Sequence, residues 1–586
     1  MIAIAAPAAA IFVLLLQASH EQPRDVRPNA HAAGVISGIV ISDDLETRPI
    51  GHAHVGLSAP DVPGQTAITD ERGRFVFSNL PAGPYSVSAT RRAWITTSYG
   101  AKRPGRPGST ISLGDGQKVE IVLRMPRGAV LSGIVHGYAG EPASRVAVQA
   151  MRYAIVEGDR RLVPAGNSTI TDDRGVYRLY GLPPGDYAVQ AVGKAVGREA
   201  AQELYLTTDL DLRYAASQAR TPPPRPQTAK FAATYFPSAT NPSQAAMLTL
   251  RAGEERDDID VQIQLEPTVR VEGMVSPLDN GVPPGTEVIL VSTAQSSALH
   301  GAVVIDDRRR VGSDGAFVFP NLGSGIYTLV ARAATPQLMW TSVEVAVSGD
   351  PVTGIVLSLQ PGMHLSGRVQ FARTVQSSTP AMSAVRVALQ PVLGPGAVGI
   401  APVPVTPAAD GSFTINGVTP GSYRLSASLN GAGSGAGPVI GRMDGWVLRS
   451  ALVGGQDTLD VPITIQPNQD ITEAAITFVD RAASLSGTVV DAGGHAVPGF
   501  TVVLFPTDQA LWMAQARRIK AVRSSTDGAF TIAGLPAGEY VVSVVEDPEP
   551  GEWFDPTFLQ RLVPAGVKVV INEGERKTED VRVGGG

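Results

Sequence analysis

Ser525-Thr-Asp-Gly-Ala-Phe-Thr-Ile-Ala-Gly-Leu-Pro-Ala-Gly-Glu-Tyr-Val-Val-Ser-Val544 sets the pattern of the chain, because its spacing returns four more times. The other copies begin at Asp70, Asp172, Asp314 and Asp410. Each holds a glycine (Gly73, Gly175, Gly315, Gly411, Gly528) and an aromatic residue two positions on. A second glycine follows ten positions after the first (Gly83, Gly185, Gly325, Gly421, Gly538), with a tyrosine two beyond it. Spacing that holds while the intervening sequence changes marks a structural repeat.

Strand periodicity accounts for the apolar positions. Phe75 and Phe77, Tyr177 and Leu179, Phe317 and Phe319, Phe413 and Ile415, and Phe530 and Ile532 alternate with other residues, so one side of a pleated strand is apolar. Alternation resumes after the second glycine at Tyr85, Val87 and Ala89 and at the matching positions up to Tyr540, Val542 and Val544. Two half-buried strands joined by a tight turn follow. Pro81, Pro183 and Pro536 supply the φ such a turn prefers. The Asp-Gly or Asp-x-x-Gly ahead of the first strand predicts a hairpin turn.

Upstream of these strands stand Ser37-Gly-Ile-Val40, Ser132-Gly-Ile-Val135, Ser366-Gly-Arg-Val369 and Ser486-Gly-Thr-Val489, with Glu272-Gly-Met-Val275 as a variant. S-G-x-V, a glycine turn, an aromatic strand and L-P-x-G-x-Y together resemble the carboxypeptidase regulatory-like domain, a small transthyretin-like (prealbumin-like) β-sandwich. The resemblance implies an all-β chain, a tandem array of five Greek-key β-sandwich domains of the kind found in multi-module bacterial envelope proteins. It carries little about function, because relatives of this sandwich include starch-binding-like modules, surface spacers and enzyme appendages.

Composition and order extend the reading. The chain has 586 residues, too many for one core, and its 63 glycines and 46 prolines suit turns and short strands. A net charge of −6 leaves no footprint for nucleic acid. The apolar segment 1–18 has the length of a secretory h-region, although its start lacks Lys and Arg; it reads as a signal peptide, with an uncleaved anchor as the alternative. A polar tether spans 19–34, and sandwiches are expected over 35–126, 127–267, 268–361, 362–482 and 483–586, the second with a disordered insertion at 193–228. Gly431–Gly437 reads as a flexible loop, and Gly551–Leu562 as a helical turn. Junctions of only a few residues predict a semi-rigid rod.

Chemistry finds little purchase. With no cysteine, disulfides and thiol nucleophiles are excluded. None of the eight histidines begins an H-E-x-x-H, and the close pair His52 and His54 lacks a third ligand nearby. Asp172-Asp173 and Asp306-Asp307 read as turns and solvated charge rather than calcium ligands. No cofactor and no catalysis are expected. The remaining candidates are loop aromatics: Trp94, Tyr99, Tyr235, Phe236, Trp340, Trp446, Trp553 and Phe554. Sugar rings stack on exposed aromatic faces, whereas packing against a neighbouring module is the structural alternative. The sequence thus predicts an exported binding protein (periplasmic, cell-surface or secreted) for which carbohydrate or cell-wall polysaccharide is the favoured ligand. A structural stalk, or a scaffold for other envelope proteins, is the alternative.

Overall fold

The computed structural model describes residues 33–60, 62–156, 159–193, 204–207, 209–217, 227–277, 281–292, 305–333, 338–373, 378–392, 401–429, 446–513 and 516–584. The expected leader 1–18, almost all of the tether and the glycine run 431–437 lie outside them. The fold is a tandem series of β-sandwiches. Buried apolar side chains gather into five large clusters, drawn from Ile36–Met125, Ala129–Ile263, Val269–Leu359, Met363–Phe478 and Ala483–Val581.

The first repeat shows how the sequence pattern becomes a sandwich. Its strands are β1 (Gly34–Ser42), β2 (His54–Ala59), β3 (Val62–Ile68), β4 (Arg74–Leu80), β5 (Gly83–Thr90), β6 (Thr97–Ser98), β7 (Ile111–Leu113) and β8 (Lys118–Met125). One sheet runs β4-β1-β8; the other runs β3-β2-β5, with β6 and β7 both paired to β5. β1 is antiparallel to β4 and parallel to β8. Ile36, Val40, Phe75, Phe77, Ile121 and Leu123 of the first sheet meet Val55, Leu57, Tyr85, Val87 and Ile111 of the second. Each such side chain contributes about 1.5–3 kcal/mol by leaving water.

The expected hairpins are instead arches. β4 pairs with β1 and β5 with β2, so the Leu-Pro-Ala-Gly turn between β4 and β5 carries the chain from one sheet to the other. The turn at Asp70–Gly73 likewise links β3 and β4 across the sandwich. All later repeats place the two pattern strands in opposite sheets. Alternation suits either arrangement; in opposite sheets the two apolar sides face each other across the core.

Three devices recur in all five repeats and explain the fixed spacings. A Cβ on Gly38, Gly133, Gly273, Gly367 or Gly487 would stand 2.1, 2.3, 2.3, 2.0 or 1.8 Å from a carbonyl oxygen of the segment that runs parallel beside it, so only glycine fits there. The valine of the same motif donates its N–H to the carbonyl of the turn glycine: Val40 to Gly73, Val135 to Gly175, Val275 to Gly315, Val369 to Gly411 and Val489 to Gly528, at 2.8–2.9 Å. The buried tyrosine reaches back four residues over the arch. Tyr85, Tyr187 and Tyr540 donate to Pro81, Pro183 and Pro536 O at 2.7–2.8 Å, Tyr327 donates to Gly323 O at 3.0 Å, and Tyr423 bonds Thr419 Oγ1 at 2.7 Å.

Two additions individualise the repeats. The stretch expected to be a disordered insertion carries, where described, a strand (Leu204–Leu206) and a helix (Asp209–Ala216). That strand pairs with Gln227–Phe231, which pairs in turn with the start of Leu265–Val275, satisfying an edge that would otherwise be open. Leu265–Val275 runs without a break through the expected boundary at 267/268. In the last repeat, the helix Pro556–Leu562 is capped by Asp555, whose carboxylate accepts from Thr557 N at 2.8 Å, and proline stands at its start. It packs Phe558 and Leu559 with Val503, Phe505, Trp512 and Val541, a second small core outside the sandwich.

Candidate functional site

The eight candidate aromatics are dispersed over all five repeats, and each packs into local structure. Trp94 is half-buried on the first core, with the Arg127 guanidinium 5.0 Å from its ring centre, at the junction of the first two repeats. Tyr99 is half-buried on the same core and closes the loop that follows, its carbonyl accepting from Ser109 N at 2.8 Å. Tyr235 is buried with Met151 and Ala188, its hydroxyl accepting from Gln190 Nε2 at 2.9 Å; burial pushes that phenol upward. Phe236 lies against the second core.

Trp340 is 5% exposed, and Trp446 is wholly enclosed. The Trp446 ring meets Phe371 edge-on at 5.0 Å, and its Nε1 donates to Ser378 O at 3.2 Å. Trp553 and Phe554 are half-buried against the small core under the C-terminal helix. No apolar cluster holds candidate rings from two different repeats. An open groove of about 630 Å³ in the fourth repeat is lined by Gln456, Pro462, Thr464, Asp470 and Glu473 among others, and none of the eight rings borders it.

The acidic turns serve the backbone. Asp172 Oδ1 accepts from the N–H groups of Arg174 and Val176, and Asp70 Oδ1 from those of Arg72 and Arg74. These backbone donors hold both carboxyls below the ordinary range. Asp307 accepts from Arg308 N and Arg309 Nη2. His52 pairs with Glu71 in solvent at 3.1 Å. Among the described residues, no group of three or more His, Asp or Glu is gathered as a metal site would require.

What the structure does bring together is charge from distant repeats. The basic loop after Tyr99 docks on the acidic turn Glu546–Glu549 of the last repeat. Lys102 lies 3.4 Å from Glu546, Arg103 pairs with Asp547 and with Glu549, and Arg106 pairs with Glu549. Arg103 Nη2 also donates to Asp547 O at 3.0 Å. From the other side Arg523 Nη2 donates to Gly100 O at 3.1 Å, and Thr526 N donates to Thr110 O at 3.0 Å. The Lys102 ammonium also sits 5.5 Å from the Phe500 ring centre. The second repeat joins this contact, since a side chain on Gly551 would stand 2.6 Å from Ile155 O. The first and last repeats therefore touch, and the expected rod is folded back on itself: opposite charge on two loops supplies an attraction that short junctions alone do not reveal.

A second charged contact joins the fourth and fifth repeats. Arg517 meets Asp460 and Asp457 at 2.7 Å each, Arg518 meets Asp460 at 2.8 Å, and Arg517 Nη1 donates to Arg449 O at 2.7 Å. Arg518 Nη1 continues to Ala537 O and to the Tyr540 hydroxyl, so the junction is wired to the tyrosine arch. Burial pushes the Asp460 carboxyl up, but the two guanidinium groups outweigh it and hold the group below its ordinary value.

Comparison with known proteins reaches two of the repeats by sequence. No curated protein matches the chain. Among solved structures, the Streptococcal ancillary pilin is 14% identical, with 56% of this chain and 99% of that one covered at a TM-score of 0.21. The minor pilin GBS52 of Streptococcus agalactiae is 14% identical, with 39% and 95% covered at 0.20. The full-length major pilin RrgB from Streptococcus pneumoniae is 7% identical, with 94% and 99% covered at 0.16. The family pattern of the carboxypeptidase regulatory-like domain matches residues 35–125 and 484–548. Those two stretches take in the first repeat and the first part of the fifth.

Proposed function

We propose that the chain is a non-catalytic scaffold of the cell envelope, in which five sandwich domains, divided near 126/127, 267/268, 361/362 and 482/483, hold one another in a closed arrangement. Its segment 1–18 directs export. The observation that carries this reading is the use of the side chains most suited to ligands. The aromatic loops pack on their own cores and junctions, and the basic loop is engaged by the acidic turn of the last repeat. A scaffold needs contacts that fix its modules, and those are what these residues make.

Carbohydrate binding is the second reading, favoured by one observation: Trp94 and Trp553 keep part of their rings at the surface. Screening the purified chain on a glycan array and on whole cell-wall polysaccharide, with Trp94→Ala and Trp553→Ala alongside, separates the two. A scaffold predicts no ring-dependent binding and a lowered melting transition in each variant. Binding abolished by either change, with melting unaltered, overturns it. N-terminal sequencing of protein from the native host tests export; a mature start near Ser19 is expected, and intact Met1 in the cytosol contradicts it.

A further inference from the structure

We propose that the acidic turn of the last repeat is also a docking site for the basic loop of a second copy of the chain, so that copies join head to tail. This inference rests on the scaffold reading above. The two surfaces are different and complementary: Lys102, Arg103 and Arg106 on one, Glu546, Asp547 and Glu549 on the other. Like surfaces repel, so two copies do not pair basic loop to basic loop. Unlike surfaces attract whether they belong to one chain or to two. A contact of this heterologous kind, made between molecules, propagates as a chain rather than closing as a symmetric dimer.

Nothing in the contact commits it to one molecule. No covalent bond crosses it; Arg106, Asp547 and Arg523 are enclosed, at 9–14% exposed, but the remaining charges stay solvated, Lys102, Arg103, Glu546 and Glu549 being 41–67% exposed. Each such pair contributes about 0.2–1 kcal/mol, so closure owes much to the high local concentration of one loop around the other. Raising the protein concentration, or drawing the end repeats apart, removes that advantage. The same hydrogen bonds, Thr526 N to Thr110 O and Arg523 to Gly100 O, then form between chains.

The absence of native cysteine makes the test direct. Three full-length variants are prepared: Lys102→Cys, Glu546→Cys, and the double variant. The double variant is treated with a short flexible bismaleimide when dilute, and the two single variants are mixed at high concentration and treated alike, since the span of a Lys–Glu pair exceeds that of a disulfide; products are read by denaturing gels and by mass spectrometry of the linked peptides. Two results are expected: an intramolecular bond in the double variant, and in the mixture a heterodimer linked 102 to 546 in roughly tenfold excess over the 102-to-102 product, lost in high salt. Intramolecular closure with no excess of the mixed link overturns the docking of a second copy and leaves the scaffold reading standing. Failure of the double variant to close, while circular dichroism shows it folded, removes the shared surface and overturns both.

As a check that does not depend on cysteine, charge reversal at Arg103 and Arg106 in one chain (Arg→Glu) is combined with reversal at Asp547 and Glu549 in another (acid→Arg). Each variant alone carries like charges on both surfaces and sediments as a monomer. Their mixture is expected to associate at low salt, and a mixture that stays monomeric contradicts the proposal.

Discussion

The last repeat meets two neighbours through charge, and the two contacts are built differently. Against the fourth repeat, the side chains of Arg517, Arg518, Asp457 and Asp460 are all 20% exposed or less and share several hydrogen bonds. Against the first repeat the contact is mixed: Arg106 and Asp547 are 12% and 14% exposed, but Lys102, Arg103, Glu546 and Glu549 are between 41% and 67%. An enclosed pair is costly to break because the surviving charge has no water to turn to, whereas an open pair loses little. The comparison separates a wholly enclosed joint from a clasp whose outer pairs stay open to water and salt.

Removing one partner from the enclosed joint should therefore have the largest effect. Arg517→Ala leaves Asp460 buried beside only Arg518 and should cost about 3–5 kcal/mol, read from chemical denaturation of the full chain. A loss no greater than that of Lys102→Ala would erase the distinction. Acid sharpens the same point. Because the folded Asp460 carboxyl lies below its ordinary value of 3.8, the unfolded chain binds more protons, and stability from this joint is complete above that pH. It is lost only as pH falls through the lower folded value. A melting curve followed downward from pH 5 should lose this contribution below pH 3.8, and Arg517→Ala should flatten that loss.

The tyrosine arches allow a finer comparison between the end repeats. Tyr85→Phe removes one hydrogen bond, to Pro81 O, and should cost about 1 kcal/mol. Tyr540→Phe removes the bond to Pro536 O and also the contact with Arg518, so it should cost more. Equal losses would mean that the joint and the arch are not coupled. Smallest of all, Lys102→Ala, whose partner Glu546 is 67% exposed, should cost about 0.2–1 kcal/mol at low ionic strength and nothing measurable in 1 M salt, where screening acts within about 3 Å.

The sandwiches were legible because their constraints are local and repeated. Glycine where an added Cβ would stand within 2.3 Å of a neighbouring carbonyl oxygen, and tyrosine four residues beyond its acceptor, leave the same spacing in each copy. One local signal went unread. Asn79, Gly181, Asn321, Gly417 and Gly534 each stand just before the arch, and all have positive φ, between 59° and 76°. They mark a β-bulge in the strand that precedes the arch, where the pairing register shifts.

Which sheet each strand joins was not legible, since alternation fixes the buried side of a strand but not its neighbour. The contacts between repeats were harder still. Arg103 and Asp547 are 444 positions apart, and no periodicity links them. The basic run 102–106 and the acidic run 546–552 were visible as charge, and their opposite sign was the available clue. The candidate aromatics went the other way: a ring in a loop looks exposed until the chain that covers it is placed, as Ser378 and Phe371 do for Trp446.

Small-angle X-ray scattering of the full chain across a salt series tests closure most directly. If the first and last repeats touch, the distance distribution at low salt should be compact, with a maximum dimension well short of five sandwiches laid end to end. It should lengthen as salt weakens the clasp, while the joint at Arg517 holds the fourth and fifth repeats together. A profile that is already fully extended at low salt, and unchanged by salt, would contradict the closed chain.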